Sequence, residues 1–275
     1  MDEIKLSYAG STDLSTHLDN INFSEEHQQF LAEIEHPIFK EQCRDYFANT
    51  QFRRDLFIRG KNNLTPLQIQ ERLRNKAFIL LIAKEKLPIN ITGLLGTFNL
   101  IEDIYHPIGN KFAEKNYQPL TIAELEQSFP ELSYAKILNA LVILCHLGLA
   151  QPCQTLTPNH EIIHKCHEMN HYLLSQASFH QNYSVLVSPL TGIGIPTEHF
   201  HQLFYRAYFV DGLETAAEFA DYVQNVITQL GWLILDKDGN TITDKDQSIQ
   251  MIQIKAQQFL DSQKLQIAKQ LRLFN

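Results

Sequence analysis

The sequence predicts a mainly α-helical protein with short strands, an α+β fold. Amphipathic stretches with helix-capping residues recur along the 275 residues, whereas runs typical of strands are short and bounded by Gly or Pro. Hydrophobic residues make up 44% of the chain, which is enough to build globular cores. We predict three modules: an N-terminal helical module over residues 1–100, a helix-turn-helix module over residues 101–158 and a C-terminal helical module with a small hairpin over residues 159–275.

The N-terminal module begins with a predicted loop over residues 13–22. Ser24 then precedes two glutamates as an N-cap, and Pro37 takes an early position of the next helix, where its missing N–H costs little. That second helix has a predicted inward-facing stripe of Ile38, Cys43, Tyr46 and Phe47. The remaining segments of the module are predicted as an extended piece or helix end over residues 52–59, a helix over 64–76, and strands or a short hairpin over 77–100.

The middle module carries a helix-turn-helix pattern over residues 117–155. Thr121 and Glu124 have the spacing of a capping box at the first helix. A turn follows at 129–133, and a second helix over 134–147 ends before Gly148, which predicts a left-handed residue. Because an extended segment comes next, the pattern predicts a small winged-helix unit.

The C-terminal module is predicted to be helical with one hairpin. The apolar, turn-rich stretch 185–196 lies between its first two helical segments. Strands near 232–235 and 241–243 flank the Gly-containing turn 236–240, which is typical of a hairpin. The helices are predicted at residues 160–180, 197–210, 214–230 and 246–262.

Charge and cysteine content exclude several classes of protein. The net charge of −8 argues against nucleic acid as the main partner. This charge is uneven, because residues 1–39 carry −7, residues 40–86 carry +6 and residues 87–275 carry −7. Because the first residues are polar, we expect no secretory signal. The sequence has no apolar run long enough for a membrane span. Its four cysteines form no CxxC pair, which favours reduced thiols in a cytoplasmic protein.

An HExxH pattern at His160, Glu161 and His164 is the strongest candidate for chemistry, and His167 and His171 extend it along the helix. On a helix, such a pattern can place two imidazoles on zinc with the glutamate as general base. The longer zinc-protease pattern fails, however, because it requires His and Gly at the positions of Asn170 and His167. We therefore assign no metal ligand and interpret the histidines as a polar helix face. A metal-dependent hydrolase remains an alternative.

Two further patterns are weaker. Gly192-Ile193-Gly194 lacks the preceding acid and the alternating strands and helices of a nucleotide-binding loop, so we assign no cofactor-binding residue. The second helix of the winged-helix unit could read DNA, which keeps a DNA-binding regulator as another alternative. Its only Lys or Arg is Lys136, whereas DNA affinity requires several phosphate contacts. No residue is assigned a catalytic role.

Residues 9–15 and 36–59 resemble the methyltransferase regulatory domain family. The family pattern reads approximately E-Q-Y-x-D-F-x-x-N-R-x-F-R-x-T-L-L-x-R, and this chain departs from it at Cys43, Thr50 and Asp55. Segments 117–155, 187–196 and 238–260 are similar to later parts of the same proteins. The positions that match the pattern in register are Glu41, Gln42, Asp45, Asn49, Phe52, Arg53, Leu56 and Arg59.

The resemblance implies an accessory role in methyl transfer. Such modules usually follow a Rossmann-like domain that binds S-adenosylmethionine, and some relatives methylate protein lysines. We expect that catalytic domain to lie outside this chain, on the same or a separate polypeptide, with the chain beginning about where it ends. The chain would then be a non-catalytic regulatory or substrate-positioning region without its own cofactor, and its partners would be the catalytic domain and possibly a protein substrate.

The basic segment 40–86 is the predicted inter-domain or partner surface. Four arginines within it are the candidate residues: Arg44, Arg53, Arg54 and Arg59. The alternative is that Arg53 and Arg59 pair with nearby acids such as Asp45 and Asp55. Surface pairs of that kind contribute only about 0–1 kcal/mol each.

Overall fold

A computed structural model of the chain describes residues 5–60, 62–154, 158–235 and 239–274. Two compact units are formed, one by residues 1–113 and 120–151 and the other by residues 114–119 and 152–275. The α+β class is confirmed, since the described residues form twelve α-helices and eleven short strands in two- or three-stranded sheets. The division into three modules remains a prediction. No helix within the described ranges has the length and apolar character needed to cross a bilayer.

The first unit begins with an antiparallel pair that joins distant parts of the chain. Strand β1 pairs with β2 so that Leu6 lies opposite Arg59, and a bulge interrupts the register between Tyr8 and Gly10. A 3-10 turn at Leu14–His17 follows β1. The elements up to residue 59 are β1 (Leu6–Ser11), α1 (Asp19–Asn22), α2 (Glu25–Glu33), α3 (Pro37–Ala48) and β2 (Asp55–Arg59).

The starts of α2 and α3 agree with the sequence prediction, whereas the preceding loop and the buried face of α3 differ from it. The Ser24 side chain accepts a hydrogen bond from the His27 amide at the start of α2, and Pro37 begins α3, as predicted. The predicted loop 13–22 contains the 3-10 turn and α1. In the predicted stripe of α3, Cys43 is buried, whereas Ile38 and Tyr46 are exposed. Helix α3 therefore buries a narrower face than its sequence suggests.

The rest of the first unit packs helices against a small sheet in the order β6-β3-β7. The Thr121–Glu124 capping box is present, and Gly148 has a positive φ of 71°, so both predictions are confirmed. The core of this part consists of Ile79, Leu80, Ile108, Phe112, Ile122, Leu125, Ile137, Leu141 and Leu144. The elements are α4 (Pro66–Arg74), β3 (Ala77–Leu80), β4 (Asn90–Gly93), β5 (Gly96–Asn99), α5 (Glu102–Glu114), β6 (Leu120–Thr121), α6 (Ile122–Ser128), α7 (Tyr134–His146) and β7 (Ala150–Cys153), with a further 3-10 turn at Lys84–Lys86.

The second unit is a helical assembly with an aromatic core. The ring of Phe204 lies 5.6 Å from that of Phe219 and 5.3 Å from that of Phe259, which joins three helices. Residues 236–238 of the predicted hairpin turn lie outside the described residues, and the flanking strands β10 and β11 pair as expected. The elements are α8 (His160–Ala177), β8 (Val185–Val187), β9 (Gly194–Pro196), α9 (His199–Phe209), α10 (Ala216–Leu230), β10 (Ile234–Leu235), β11 (Thr241–Ile242), α11 (Lys245–Leu260) and α12 (Lys264–Gln270).

Residues 271–274 are held inside the second unit by buried polar side chains. Asn170 of α8 donates to the carbonyls of Val187 and Leu273, both at 2.8 Å, and accepts from the Val187 amide at 2.7 Å. The Ser188 hydroxyl donates to the Leu271 carbonyl at 2.7 Å. Phe274 stacks on Phe209 with ring centroids 4.5 Å apart. These contacts connect α8, the β8–β9 hairpin and the last described residues.

Candidate functional site

An open cleft of about 820 Å³ lies in the first unit. Most of its lining comes from residues 11–54, with contributions from the end of β4 and the end of α7. The wall is polar, with backbone and hydroxyl groups from the turn after β1 and charged side chains from α3. A concave surface with convergent polar groups is the usual form of a binding site, so we take this cleft as the candidate site.

Asp13 organises the turn on one side of the cleft. Its Oδ1 accepts hydrogen bonds from the Ser15 amide at 2.9 Å and the Ser15 hydroxyl at 2.8 Å, which caps the 3-10 turn. His146 at the end of α7 places Nδ1 3.7 Å from the same oxygen. Burial raises the pKa of Asp13, but the hydrogen bonds from Ser15 outweigh it and hold this pKa below its usual range. Asp13 is therefore a fixed negative charge at neutral pH.

Arg53, which also lines the cleft, is the centre of an ion-pair network. Its guanidinium donates to Glu41 at 3.0 Å, to Asp45 at 2.9 Å and to Asp55 at 3.0 Å. Burial lowers the pKa of Arg53, but hydrogen bonds to these three carboxylates outweigh it and raise the pKa above its ordinary value. The partners come from α3 and β2, so one side chain connects the helix to the strand.

Tyr8 extends the network to β1. Its hydroxyl accepts from Arg53 at 2.6 Å and donates to Glu41 at 3.0 Å. Burial raises the pKa of Tyr8 to about 12, and the adjacent Glu41 carboxylate contributes to the increase. The phenol therefore stays protonated at neutral pH and remains a hydrogen-bond donor to Glu41.

The four candidate arginines occupy two different settings. Arg44 lies 2.7 Å from Asp19, donates to the Thr16 carbonyl and covers the Phe23 ring at 5.0 Å. Arg44 and Arg53 thus hold elements of the first unit together, and Arg53 contacts Asp45 and Asp55 as the pairing alternative predicts. Arg54 and Arg59 have exposed side chains on and beside β2.

Close backbone packing positions the hairpin β4–β5 at the edge of the cleft. A Cβ on Gly93 would lie 2.4 Å from the Ile21 carbonyl oxygen, so only glycine fits there without movement. Asn22 is buried and accepts a hydrogen bond from the Leu94 amide at 3.3 Å. Its amide group also donates to the Ser15 carbonyl at 2.6 Å. The hairpin, α1 and the 3-10 turn therefore form one connected wall.

The HExxH residues do not converge. The whole pattern lies on α8, where Glu161 pairs with Lys165 at 2.6 Å and His164 lies 3.4 Å from Glu168. His160 and His171 are exposed, whereas His167 is buried and its Nε2 lies 3.1 Å from the Arg272 carbonyl. In the parts of the chain that the structure describes, no three His, Cys, Asp or Glu side chains are grouped to hold a metal ion.

The other two weak patterns also have structural explanations. Gly192 and Gly194 lie in the hairpin between antiparallel β8 and β9, with Gly192 at a φ of 68°. A glycine loop that binds phosphate instead leads from a strand into a helix N-terminus. Helix α7 of the helix-turn-helix region buries one side in the core, and its exposed side offers Lys136 beside Ala135 and Asn139. One lysine gives little phosphate affinity.

Sequence reasoning missed one member of the Arg53 network, Tyr8, and two residues that line the cleft, Asn22 and His146. They meet their partners across 45, 72 and 133 positions, respectively, as shown by Tyr8–Arg53, Asn22–Leu94 and Asp13–His146. No local pattern signals such pairings. The only indication was the family motif, which contains Glu41, Asp45 and Arg53 of the network.

Comparisons with known proteins agree with the sequence motif. Residues 1–59 match the family described as the predicted methyltransferase regulatory domain. An uncharacterized protein of Synechocystis sp., sll1526, is 28% identical over 261 residues, which cover 94% of this chain and 50% of that protein. The solved structure of PKMT2 from Rickettsia typhi in complex with AdoHcy matches 97% of this chain and 55% of that protein, with a TM-score of 0.56 and 16% identity. A second structure of PKMT2 from Rickettsia typhi matches 97% of this chain and 56% of that protein, with a TM-score of 0.50 and 17% identity.

The chain therefore spans about half the length of the relatives that it matches. At 16% identity, the likeness to PKMT2 shows the fold alone. The family match covers the segment that contributes most of the cleft. The resemblance predicted from the sequence is thus confirmed: the N-terminal segment matches the methyltransferase regulatory domain family, and the chain is similar in fold to part of a methyltransferase.

Proposed function

We propose that this chain is the non-catalytic regulatory or substrate-positioning region of a methyltransferase that uses S-adenosylmethionine and acts on protein substrates. The observation that carries the proposal is the cleft of the first unit, which is built mainly from the segment that matches the regulatory domain family. The Rossmann-like catalytic domain would lie outside these residues, on the same or a separate polypeptide. Relatives about twice as long as this chain are consistent with that arrangement.

The geometry of the cleft suits a polypeptide segment. Asp13, Glu41 and Asp45 line it together with several hydroxyl groups, and so do Arg44, Arg53 and Arg54. Because carboxylates and hydroxyls accept hydrogen bonds and guanidinium groups donate them, an extended peptide with polar side chains is complementary to this wall. The ion pairs of Arg44 and Arg53 keep the wall rigid, which limits the entropy lost on binding.

The exposed arginines form the proposed contact with the catalytic domain. Arg54 and Arg59 have exposed side chains on and beside β2, whereas Arg44 and Arg53 are only partly exposed. A complementary acidic surface on the partner would accelerate association and fix its orientation. Arg44 and Arg53 contribute indirectly in this proposal, because they stabilise the segment that carries the exposed pair.

Calorimetry with the cofactor tests the absence of a donor site. Titration of the chain with S-adenosylmethionine should give no saturable heat, since we assign the methyl donor to the associated domain. Micromolar binding would refute the proposal. As a positive test, crosslinking the chain in its native host followed by mass spectrometry should recover a methyltransferase domain, attached or separate. Recovery of the chain without any such domain would also contradict the proposal.

The proposed location is the cytoplasm. Cys43, Cys145, Cys153 and Cys166 form no disulfide in the residues that the structure describes. Proteins of oxidising compartments usually pair their cysteines, so this observation supports a reducing compartment. Fractionation of the native host, with detection by an antibody against the chain, checks this assignment.

A further inference from the structure

A second, smaller cavity of about 380 Å³ lies between α2 and α3 of the first unit. Most of its lining side chains are aromatic and none is a lysine or an arginine: Glu26, His27, Phe30, Cys43, Tyr46 and Phe47. Within each helix the lining positions are up to four residues apart, which places them on one helix face. We call this cavity the aromatic groove.

The floor of the aromatic groove is fixed by the core. Cys43 packs in a buried cluster with Phe23 and Leu31, and Phe47 packs against that cluster. The His27 ring stacks on Phe47 with centroids 4.1 Å apart and planes 9° apart. The Phe30 ring meets Phe47 edge-on at 5.8 Å. The stacked faces of His27 and Phe47 cover each other, so the aromatic surface open to a ligand belongs mainly to Phe30 and Tyr46.

The rim of the aromatic groove is exposed. Phe30 retains 48% of its surface and Tyr46 retains 76%. Tyr46 projects from α3 at a position where the sequence predicted an inward-facing side chain. Burial of a large aromatic ring is favourable because it removes apolar surface from water. A ligand that covers Phe30 and Tyr46 would therefore be stabilised by apolar contact with both rings.

Charge limits what that occupant can be. Glu26 is the only carboxylate lining the aromatic groove, and the two helices that form it carry a net charge of −3, all of it on α2. The faces of aromatic rings attract cations, most strongly when the cation gives up little hydration. An unmodified lysine ammonium is strongly hydrated. Methyl groups on the lysine nitrogen replace its hydrogen-bond donors with apolar surface and keep its positive charge. A methylated ammonium group therefore suits a groove with aromatic rings and one carboxylate.

We propose that the aromatic groove binds the methylated ammonium group of a lysine side chain in a peptide. The origin of the methyl groups rests on the function proposed above, because a region that positions protein substrates would meet methylated lysines. The binding chemistry itself requires only α2 and α3. Retention of a methylated segment here would keep neighbouring lysines of the same chain near the cleft.

The test is a titration of the full chain with three synthetic peptides of one neutral sequence. They carry a central trimethyl-lysine, an unmodified lysine, or a neutral analogue in which carbon replaces the trimethylated nitrogen. Amide chemical shifts followed by NMR should move at α2 and α3 with the trimethyl-lysine peptide. We expect the other two peptides to bind about tenfold more weakly, since each lacks either the methyl groups or the charge.

Variants assign the binding to the groove. Tyr46→Ala should weaken binding of the trimethyl-lysine peptide about tenfold, and Glu26→Gln, which keeps the shape, should weaken it severalfold. Phe179→Ala removes another ring that is 66% exposed, in the second unit, and should leave the affinity unchanged. Both test residues are exposed, so the variants are expected to fold.

Four outcomes would overturn the proposal. No binding of the trimethyl-lysine peptide would do so directly. Equal binding of the neutral analogue would show a purely apolar groove, which suits a partner helix instead. Binding to phosphatidylcholine vesicles without binding to the peptide would point to a lipid headgroup. An affinity that Tyr46→Ala does not change would place the site elsewhere. None of these results depends on S-adenosylmethionine, so they are separate from the calorimetric test above.

Discussion

Replacement of Asn170 by alanine is expected to destabilise the second unit strongly. The side chain is fully buried, and its amide makes three hydrogen bonds to the backbone of Val187 and Leu273. Alanine leaves one amide and two carbonyls without this partner, and each buried unsatisfied group costs about 1–3 kcal/mol. Because Val187 is only half-buried, water can replace part of the loss, so we expect about 3 kcal/mol in total.

Urea unfolding followed by far-UV circular dichroism measures this change in the free energy of unfolding. In a thermal scan, the same loss should lower the melting temperature of the second unit by about 10 °C. Asn182→Ala is the matched control, since Asn182 is an exposed asparagine of the same unit. Its effect should stay within about 0.5 kcal/mol. A loss below about 1 kcal/mol for Asn170→Ala, or equal losses for both variants, would refute the reasoning.

Asn170→Asp separates the donor role from the acceptor role. Aspartate keeps an acceptor for the Val187 amide but places a carboxylate against the carbonyls of Val187 and Leu273. Burial without a donor should raise the pKa of the new carboxyl in the folded state above its unfolded value of about 3.9. The protonated form is then favoured on folding, so the stability deficit against wild type should shrink as pH falls through that raised pKa. A deficit that is constant from pH 7 to pH 4 would contradict this.

Three further predictions follow from other contacts. Gly93→Ala should destabilise the first unit by about 2 kcal/mol in urea unfolding, because its Cβ would lie 2.4 Å from the Ile21 carbonyl oxygen; a neutral effect would show that the hairpin can move. Metal analysis of the purified chain should find no zinc that depends on His160, and one zinc per chain that disappears in His160→Ala would revive the hydrolase alternative. Burial raises the pKa of Cys145 to about 12, so its contribution to stability is intact below the unfolded pKa of about 8.5 and is lost as pH rises towards 12. The fall in unfolding free energy between pH 8 and pH 10 should therefore be smaller in Cys145→Ala than in wild type.

Helices with a local start signal could be predicted from the sequence. Ser24, Pro37 and the Thr121–Glu124 box each act within four residues, and the structure has helices beginning where they predict. The capping boxes at Thr65 and Thr215 were not recognised, although they have the same chemistry. Such signals depend on neighbouring residues, which is why they can be read without knowing the tertiary contacts.

Features that depend on distant partners could not be predicted. Strand β1 exists because it pairs with β2 nearly fifty residues later, and its own sequence carries no clear alternation. Helix periodicity places Tyr46 on the same face as Cys43, which predicts an inward-facing side chain. Periodicity does not show how much of that face a neighbouring element covers, and Tyr46 is exposed. His167 and Asn170 fell within a metal-like pattern, yet they hold residues 272 and 273, more than a hundred positions away.

The candidate site shows the same division. The family motif brought Glu41, Asp45 and Arg53 to attention as a group, and the structure joins them in one network. The motif did not indicate that Arg44 and Arg53 are largely used internally while Arg54 and Arg59 stay exposed. That distinction depends on which carboxylates the fold brings within about 3 Å, and residue spacing alone does not determine it.

The pairing of β1 with β2 has a consequence for how this segment can be inherited. Leu6 and Arg59 lie side by side, so the two boundaries of the segment between them meet at one place in space. A stretch of chain whose ends meet can be inserted into another protein with little distortion of the host. The Arg53 network closes the same stretch internally, because Tyr8, Glu41, Asp45 and Asp55 all belong to it. Asn22 and Asp13 also contact Leu94 and His146, which lie beyond this segment. A transplant of residues 6–59 into an exposed loop of an unrelated protein should therefore keep the β1–β2 pairing and the Arg53 ion pairs but lose the wall that the β4–β5 hairpin completes.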